Sequence, residues 1–139
     1  MTDFYTDTIT IYHDVPSDGV NPRRFDRRVV KKCNIQQGML QSANGTVEKV
    51  VNATTIITKS VENYRTPLEY AHIPVDMRES RYTVNVNDFV VLSEVEDEVT
   101  TSREFQELQT KYEGNGVSVT AVNAYIHGTA VDNVQIIHA

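Results

Sequence analysis

The sequence has no tryptophan, one cysteine and no apolar run longer than four residues. A lone Cys33 excludes an internal disulfide. A run of four falls far short of the ~20 apolar residues that a helix needs to cross a bilayer, so no membrane partner is expected. Residues 1–7 carry neither a basic cluster nor an apolar stretch, so no signal peptide is expected. A cytosolic chain is the simplest reading, and the Asn-x-Thr sequons at Asn44 and Asn52 then have no glycosylating compartment to act in.

Signatures of chemistry are missing as a set. His13, His72, His127 and His138 form no pair at metal-ligand spacing and have no cysteine partner, so no metal and no cofactor is expected. No glycine-rich phosphate loop is visible; Gly114 and Gly116 follow a helical pattern rather than opening one, which points the helix dipole the wrong way for an anion. No serine sits in a nucleophile elbow. Cys33 lies in a basic segment that would lower an exposed thiol's pKa, against the plainer role of a small core residue. Glu94, Glu96, Asp97 and Glu98 are the nearest thing to paired carboxylates, but nothing beside them would split their pKa values, and a solvated face explains them. No enzyme is expected.

What is present is a globular composition: 139 residues, 40% hydrophobic and 23% charged, which suits one domain rather than a disordered chain. Valine, isoleucine and threonine dominate while leucine is scarce, which favours strands. The net charge of −6 argues against generic binding to duplex nucleic acid. That average hides a polarity. Arg23, Arg24, Arg27, Arg28, Lys31 and Lys32 supply six of the thirteen basic residues, and residues 94–113 are strongly acidic. The two segments read either as solvated faces or as complementary surfaces that meet between subunits, where charge fixes register more than affinity.

Period-two alternation predicts a first strand over Thr8–His13. Pro16, Asp18, Gly19, Asn21 and Pro22 make a loop. Residues 24–40 read as a long, bent strand in which Gly38 marks a bulge or an end. Asn44-Gly45 is a hairpin turn signal, followed by strand patterns over 47–51 and 53–59. Residues 60–81 form an irregular excursion. Within it, Thr66-Pro67-Leu68-Glu69 is a capping box that predicts a short helix over Pro67–His72, stopped by Pro74. Extended chain returns at Tyr82–Val84, Asn87-Asp88 turns, and Phe89–Leu92 is a buried strand. Thr101 and Glu104 suggest a second capping box for a helix whose Phe105, Leu108 and Tyr112 share one face. Strands over Val117–Asn123 and Val131–His138 close the chain. The expected fold is therefore mainly β: a single domain over 1–139, a small β-barrel or sandwich with one short α-helix and long projecting loops. Asn44, Gly45, Arg65, Pro67, Tyr70 and Arg78 are the candidate loop residues for reaching a neighbour.

Several of these segments carry a resemblance. Tyr82-Thr83-Val84, the Asn87-Asp88 turn and Phe89-Val90-Val91 resemble a step in small neck proteins of tailed phages that infect Gram-positive bacteria. Thr66–Tyr70, the acidic stretch Glu94–Thr101, the helix with Phe105, Leu108 and Lys111-Tyr112, and the first strand Asp7–Tyr12 are similar as well. The chain departs from that pattern at Ala121–Tyr125 and in having no late tryptophan. The resemblance implies a head-to-tail connector of head-closure or stopper type, a ring subunit at the virion neck assembled in the host cytoplasm. Its implied partners are the portal or adaptor ring above, the tail terminator or tail tube below, other copies of itself, and packaged DNA in the lumen. The inter-subunit surfaces would be Arg23, Arg24, Arg27, Arg28, Lys31 and Lys32 against Glu94, Glu96, Asp97 and Glu98. A tail terminator or other connector ring is the alternative of the same kind. A small β-barrel that binds single-stranded nucleic acid or a ligand, with Arg23–Lys32 as its groove, is the alternative of another kind.

Overall fold

The computed structural model describes residues 5–16, 19, 22–40 and 51–138. The elements run β1 Asp7–Val15, β2 Arg24–Leu40, β3 Val51–Thr58, α1 Pro67–Ala71, a 3-10 turn Val75–Met77, β4 Phe89–Val91, α2 Ser102–Lys111, β5 Gly116–Ser118, β6 Ala121–Tyr125 and β7 Asn133–His138. All seven strands belong to one sheet in the order β5-β4-β1-β2-β3-β7-β6, and every pairing is antiparallel. The mainly-β expectation holds, with two α-helices rather than one.

The two edge strands follow one another in the chain, with only Val119 and Thr120 between them. Three trans peptide steps span at most about 11 Å, so the sheet must curl until its edges nearly meet. The expected single strand over Val117–Asn123 is thus split between both edges. Val119 donates to Asp88 O at 2.9 Å on the β4 side, and Thr120 donates to Ile137 O at 2.7 Å on the β7 side. No ladder joins β5 to β6, so the sheet is curled without closing into a barrel.

Alternation sorts side chains onto the two faces. Ile9 and Ile11 of β1 join Val30, Cys33, Ile56, Tyr82, Val84, Val90, Val134 and Ile136 inside the curl. Tyr12 points the other way and packs with Phe25, Phe89, Val91, Phe105 and Leu108 under α2. The rings of Phe25 and Phe105 stack at 4.6 Å between centroids, and Phe89 meets Phe105 edge-on at 6.5 Å. Such pairs add about 1 kcal/mol each beyond their area. Gly116 is dictated by this cluster, because a Cβ there would fall 2.3 Å from the Phe89 ring.

The bend in β2 is real but sits elsewhere than Gly38, which is in regular register opposite Ala53. Between the pairs Ile9↔Val30 and Asp7↔Cys33, β2 has one residue more than β1. Lys32 takes up the slack in left-handed conformation at φ 59°. This bulge is why Val30 and Cys33, three apart, share one face. It also marks where β2 changes partner: β1 pairs along Arg24–Cys33 and β3 along Cys33–Leu40. β1 leaves β2 at Cys33 and β7 reaches β3 only as far as Thr54. The last three rungs, Gly38↔Ala53, Met39↔Asn52 and Leu40↔Val51, therefore form a two-stranded arm with no strand on either side among the described residues. At the usual rise per residue they carry it about 10 Å past the sheet. The Asn44-Gly45 turn and the strand pattern over 47–50 lie outside the described residues.

Candidate functional site

Beside the ends of β1 and β2, a cavity of about 300 Å³ opens between the sheet and the 66–80 excursion, lined in part by His13, Arg24, Tyr70 and Arg78. Its polar wall is assembled from segments far apart in the chain. On β1, His13 follows Ile9 and Ile11 on the inner face. On β2, Asp26 and Arg28 alternate with Phe25 and Arg27 and so face the excursion.

The excursion is docked by these groups. The predicted capping box of α1 forms completely: Glu69 N donates to Thr66 Oγ1 at 3.2 Å, and Thr66 N donates to Glu69 Oε1 at 3.1 Å. That short helix delivers Tyr70, whose hydroxyl donates a short hydrogen bond to Asp26 Oδ2. Asp26 also accepts from Arg24 Nε at 3.0 Å and lies 3.9 Å from Arg28 Nη2. Burial alone would raise the Asp26 pKa, but the hydrogen bonds from Tyr70 and Arg24 outweigh it and hold the carboxyl below its ordinary value. Tyr70 is pushed up by burial first and by Asp26 second. Arg28 donates to Arg81 O at 2.9 Å, Tyr70 Oη at 3.1 Å and Arg78 O at 3.2 Å. Arg78 folds back on its own segment, donating to Ile73 O at 2.7 Å and Ala71 O at 2.9 Å.

The other half of the wall is held by Asp88. Its carboxylate accepts from Asp14 N at 3.2 Å and Asn85 N at 2.8 Å, and lies 2.6 Å from His13 Nδ1. A carboxylate accepts, so His13 donates from Nδ1 and is left with Nε2 unpartnered among the described residues. The His13 and Tyr70 rings meet edge to face at 5.4 Å and join the two halves.

Tyr70 and Arg78 therefore do not project, as the sequence suggested they would. They are 2% and 8% exposed, because Tyr70 turns inward onto Asp26 of β2 and Arg78 folds back on the Ala71 and Ile73 carbonyls. Leu68, Val75 and Met77 are exposed on its outer side, beside exposed Glu69, Asp76 and Glu79. Pro67 and Arg65 are half-buried, and Arg65 donates to the Glu62 and Tyr64 carbonyls.

The basic strand is likewise engaged within the chain. Arg23 donates to both oxygens of Asp14, at 2.9 and 2.7 Å, and to Ser102 Oγ at 2.8 Å. Arg27 donates to Val95 O, by Nε at 2.8 Å and also by Nη2. The basic and acidic segments thus touch inside one molecule. Lys31 and Lys32 are exposed.

Of the acidic cluster, Glu94, Glu96 and Glu98 are exposed, whereas Asp97 turns inward. The Asp97 carboxylate accepts from Lys111 Nζ at 2.6 Å and Tyr112 Oη at 2.7 Å, and these hydrogen bonds lower its pKa. Tyr12 Oη donates to Asp97 O at 2.7 Å; burial pushes that phenol up to about 12. The cluster is a clasp between α2 and the sheet rather than a carboxylate pair. Cys33 is no reactive thiol: it is buried, and burial raises its pKa to about 11 despite the basic neighbours.

Among the described residues, no group of three or more His, Cys, Asp or Glu side chains is placed to hold a metal ion, and no helix is long and apolar enough to cross a membrane. A family model matches residues 4–137, and it describes a family of unknown function (DUF6751). No curated protein and no solved structure matches the chain.

Proposed function

The chain belongs to the family of unknown function DUF6751, and we propose that it serves as a structural ring subunit of a tailed-phage neck, of the head-closure or head–tail joining kind. The observation that carries this reading is the two-stranded arm, three rungs of β2 and β3 that have no neighbour on either side among the described residues. An isolated hairpin is marginally stable in water, so such an arm gains most of its order from another chain. Open edges on β5 and β6 add unpaired backbone groups that can accept a strand. The excursion adds Leu68, Val75 and Met77 as an apolar surface whose base is fixed to β2 by Asp26, Tyr70 and Arg28. A rigid body with a protruding arm at one place and docking surfaces at others suits a heterologous interface, in which one surface of each copy meets a different surface of the next.

The resemblance to phage neck proteins supplies the particular assembly. The segments that carry it are structural pillars here: Tyr82 and Val84 are buried, and Asp88 ties the turn before β4 to β1. The nucleic-acid-binding alternative loses ground, because Arg23, Arg27 and Arg28 are engaged by Asp14, the Val95 carbonyl, Tyr70 and the Arg78 and Arg81 carbonyls instead of lining an open groove.

Immunogold labelling of virions with an antibody to this chain tests the proposal. Label at the head–tail junction is the expected result. Label confined to the capsid shell or tail tip, or none on intact particles that contain the chain by immunoblot after disruption, overturns it.

A further inference from the structure

The cavity beside β1 and β2 holds a charge that no described residue balances. Arg78 is 8% exposed, yet no carboxylate among the described residues lies within ion-pair distance of it. Its Nε and Nη2 are satisfied by two carbonyl oxygens, and its guanidinium lies 5.3 Å from the centre of the Tyr70 ring. Those contacts solvate the cation without neutralising it. Buried charges are ordinarily paired, because desolvation is expensive when no counter-ion shares the site.

The acids nearby are already taken. Asp14 pairs with Arg23, Asp26 with Arg24, Arg28 and Tyr70, and Asp88 with His13. Donors remain on the cavity side. Arg24 uses only Nε, on Asp26, leaving both Nη groups without partners among the described residues. Asp14, held by Arg23, and Asn85 also line the cavity, and the remaining wall is apolar, made by Val15, Pro16, Pro22, Pro67 and Ala71.

We propose that this cavity binds a carboxylate group carried on a small apolar body, with Arg78 as its buried counter-charge and Arg24 as a further donor. A guanidinium presents a planar fork that matches a carboxylate. The proline and alanine walls suit an aliphatic or aromatic body, and about 300 Å³ is at the lower end of the size range of small-ligand sites. The carboxylate has two sources, a free small acid or the C-terminal residue of a protein chain. The proposal is independent of the neck reading, because it concerns a site complete within one subunit.

The test is titration of the full chain, followed by nitrogen–proton NMR that includes arginine Nε signals. The probes are benzoate, its neutral isostere benzamide, inorganic phosphate, and a short peptide ending in leucine with a free or amidated C-terminus. Saturable shifts of Arg78 and Arg24 with benzoate, and shifts at least about tenfold weaker with benzamide, are expected. Arg24→Gln should weaken benzoate binding about tenfold with the spectrum otherwise native. Ala71→Phe, which fills the apolar wall while keeping every charge, should abolish binding. Binding of the free-ended peptide without benzoate also supports the proposal and assigns the carboxylate to a partner chain. Equal binding of benzoate and benzamide, tighter binding of phosphate than of any carboxylate, full binding by folded Ala71→Phe, or no saturable shift with any probe overturns it.

Discussion

The two halves of β2 are chemically opposite although they form one strand. Arg24–Cys33 runs beside β1; its Asp26, Arg27 and Arg28 have partners on other parts of the chain, Arg24 pairs with Asp26 on the same strand, and Lys31 and Lys32 are exposed. Asn34–Leu40 carries no charge and, among the described residues, pairs with β3 alone and ends in rungs with no neighbour. The first half fixes the excursion through Asp26 and Arg28. The second half holds its backbone ladder out beyond the sheet. Charge density along a strand is therefore a poor guide to where this protein meets others; the missing neighbours of the uncharged half say more.

The comparison breaks hardest at Asp26. Asp26→Ala strands Arg24, Arg28 and the Tyr70 hydroxyl together, and should destabilise the chain by about 3 kcal/mol in urea unfolding. A change under about 0.5 kcal/mol would mean that the first half of β2 is no more tied than the second. Acid should sharpen the same point. The folded pKa of Asp26 lies below its unfolded value, so its contribution is fully present above about pH 4 and fades as pH falls through the folded value. Unfolding free energy measured from pH 6 downward should drop less steeply for Asp26→Asn than for the parent. Asp132 gives a second, local acid response. It accepts from the amides of His127, Gly128 and Thr129, which hold its pKa near 2, so the β6–β7 loop should loosen only at the acid extreme.

The strands, the caps and the long β2 were legible because each rests on local pattern: alternation in Ile9 and Ile11, a capping box at Thr66 and Glu69, a helical face at Phe105 and Leu108. The cavity was not legible. His13 and Asp88 are 75 positions apart, and Tyr70 and Asp26 are 44 apart. Each alone looks like an ordinary strand, turn or loop residue. Tyr70 and Arg78 were read as outward because they sit among prolines and charges, a composition that usually marks a solvated loop. Once the excursion folds back on β2 those polar groups become its anchor. A faint signal existed: a capped turn as short as Pro67–Ala71 needs tertiary support, and Tyr70 is its one buried residue.

Lys32, the bulge residue between the halves, should give a smaller effect of either sign. A non-glycine side chain at φ 59° is strained, so Lys32→Gly should raise stability by about 0.5 kcal/mol after the extra freedom of unfolded glycine is counted. Lys32→Val places a β-branched residue there and should lower it by about 1 kcal/mol. If both variants match the parent in chemical denaturation, the bulge is not what holds the change of partner at Cys33.

The smallest effect on folding is expected where the effect on association is largest. Replacing residues 38–53 by a short Asn-Gly turn removes the free rungs and leaves β1, β7, both cores and the Asp26 cluster in place. The monomer should keep its unfolding free energy to within about 0.5 kcal/mol, since rungs without neighbours bury little. Subunits that associate through the arm should then fail to form rings or to enter particles, as read by sedimentation with their partners and by immunoblot of purified particles. Normal incorporation of the arm-deleted chain would show that the second half of β2 is as self-contained as the first. Loss of folding would show that the arm belongs to the core. Only a stable monomer that no longer assembles fits a strand divided between holding one molecule together and joining it to the next.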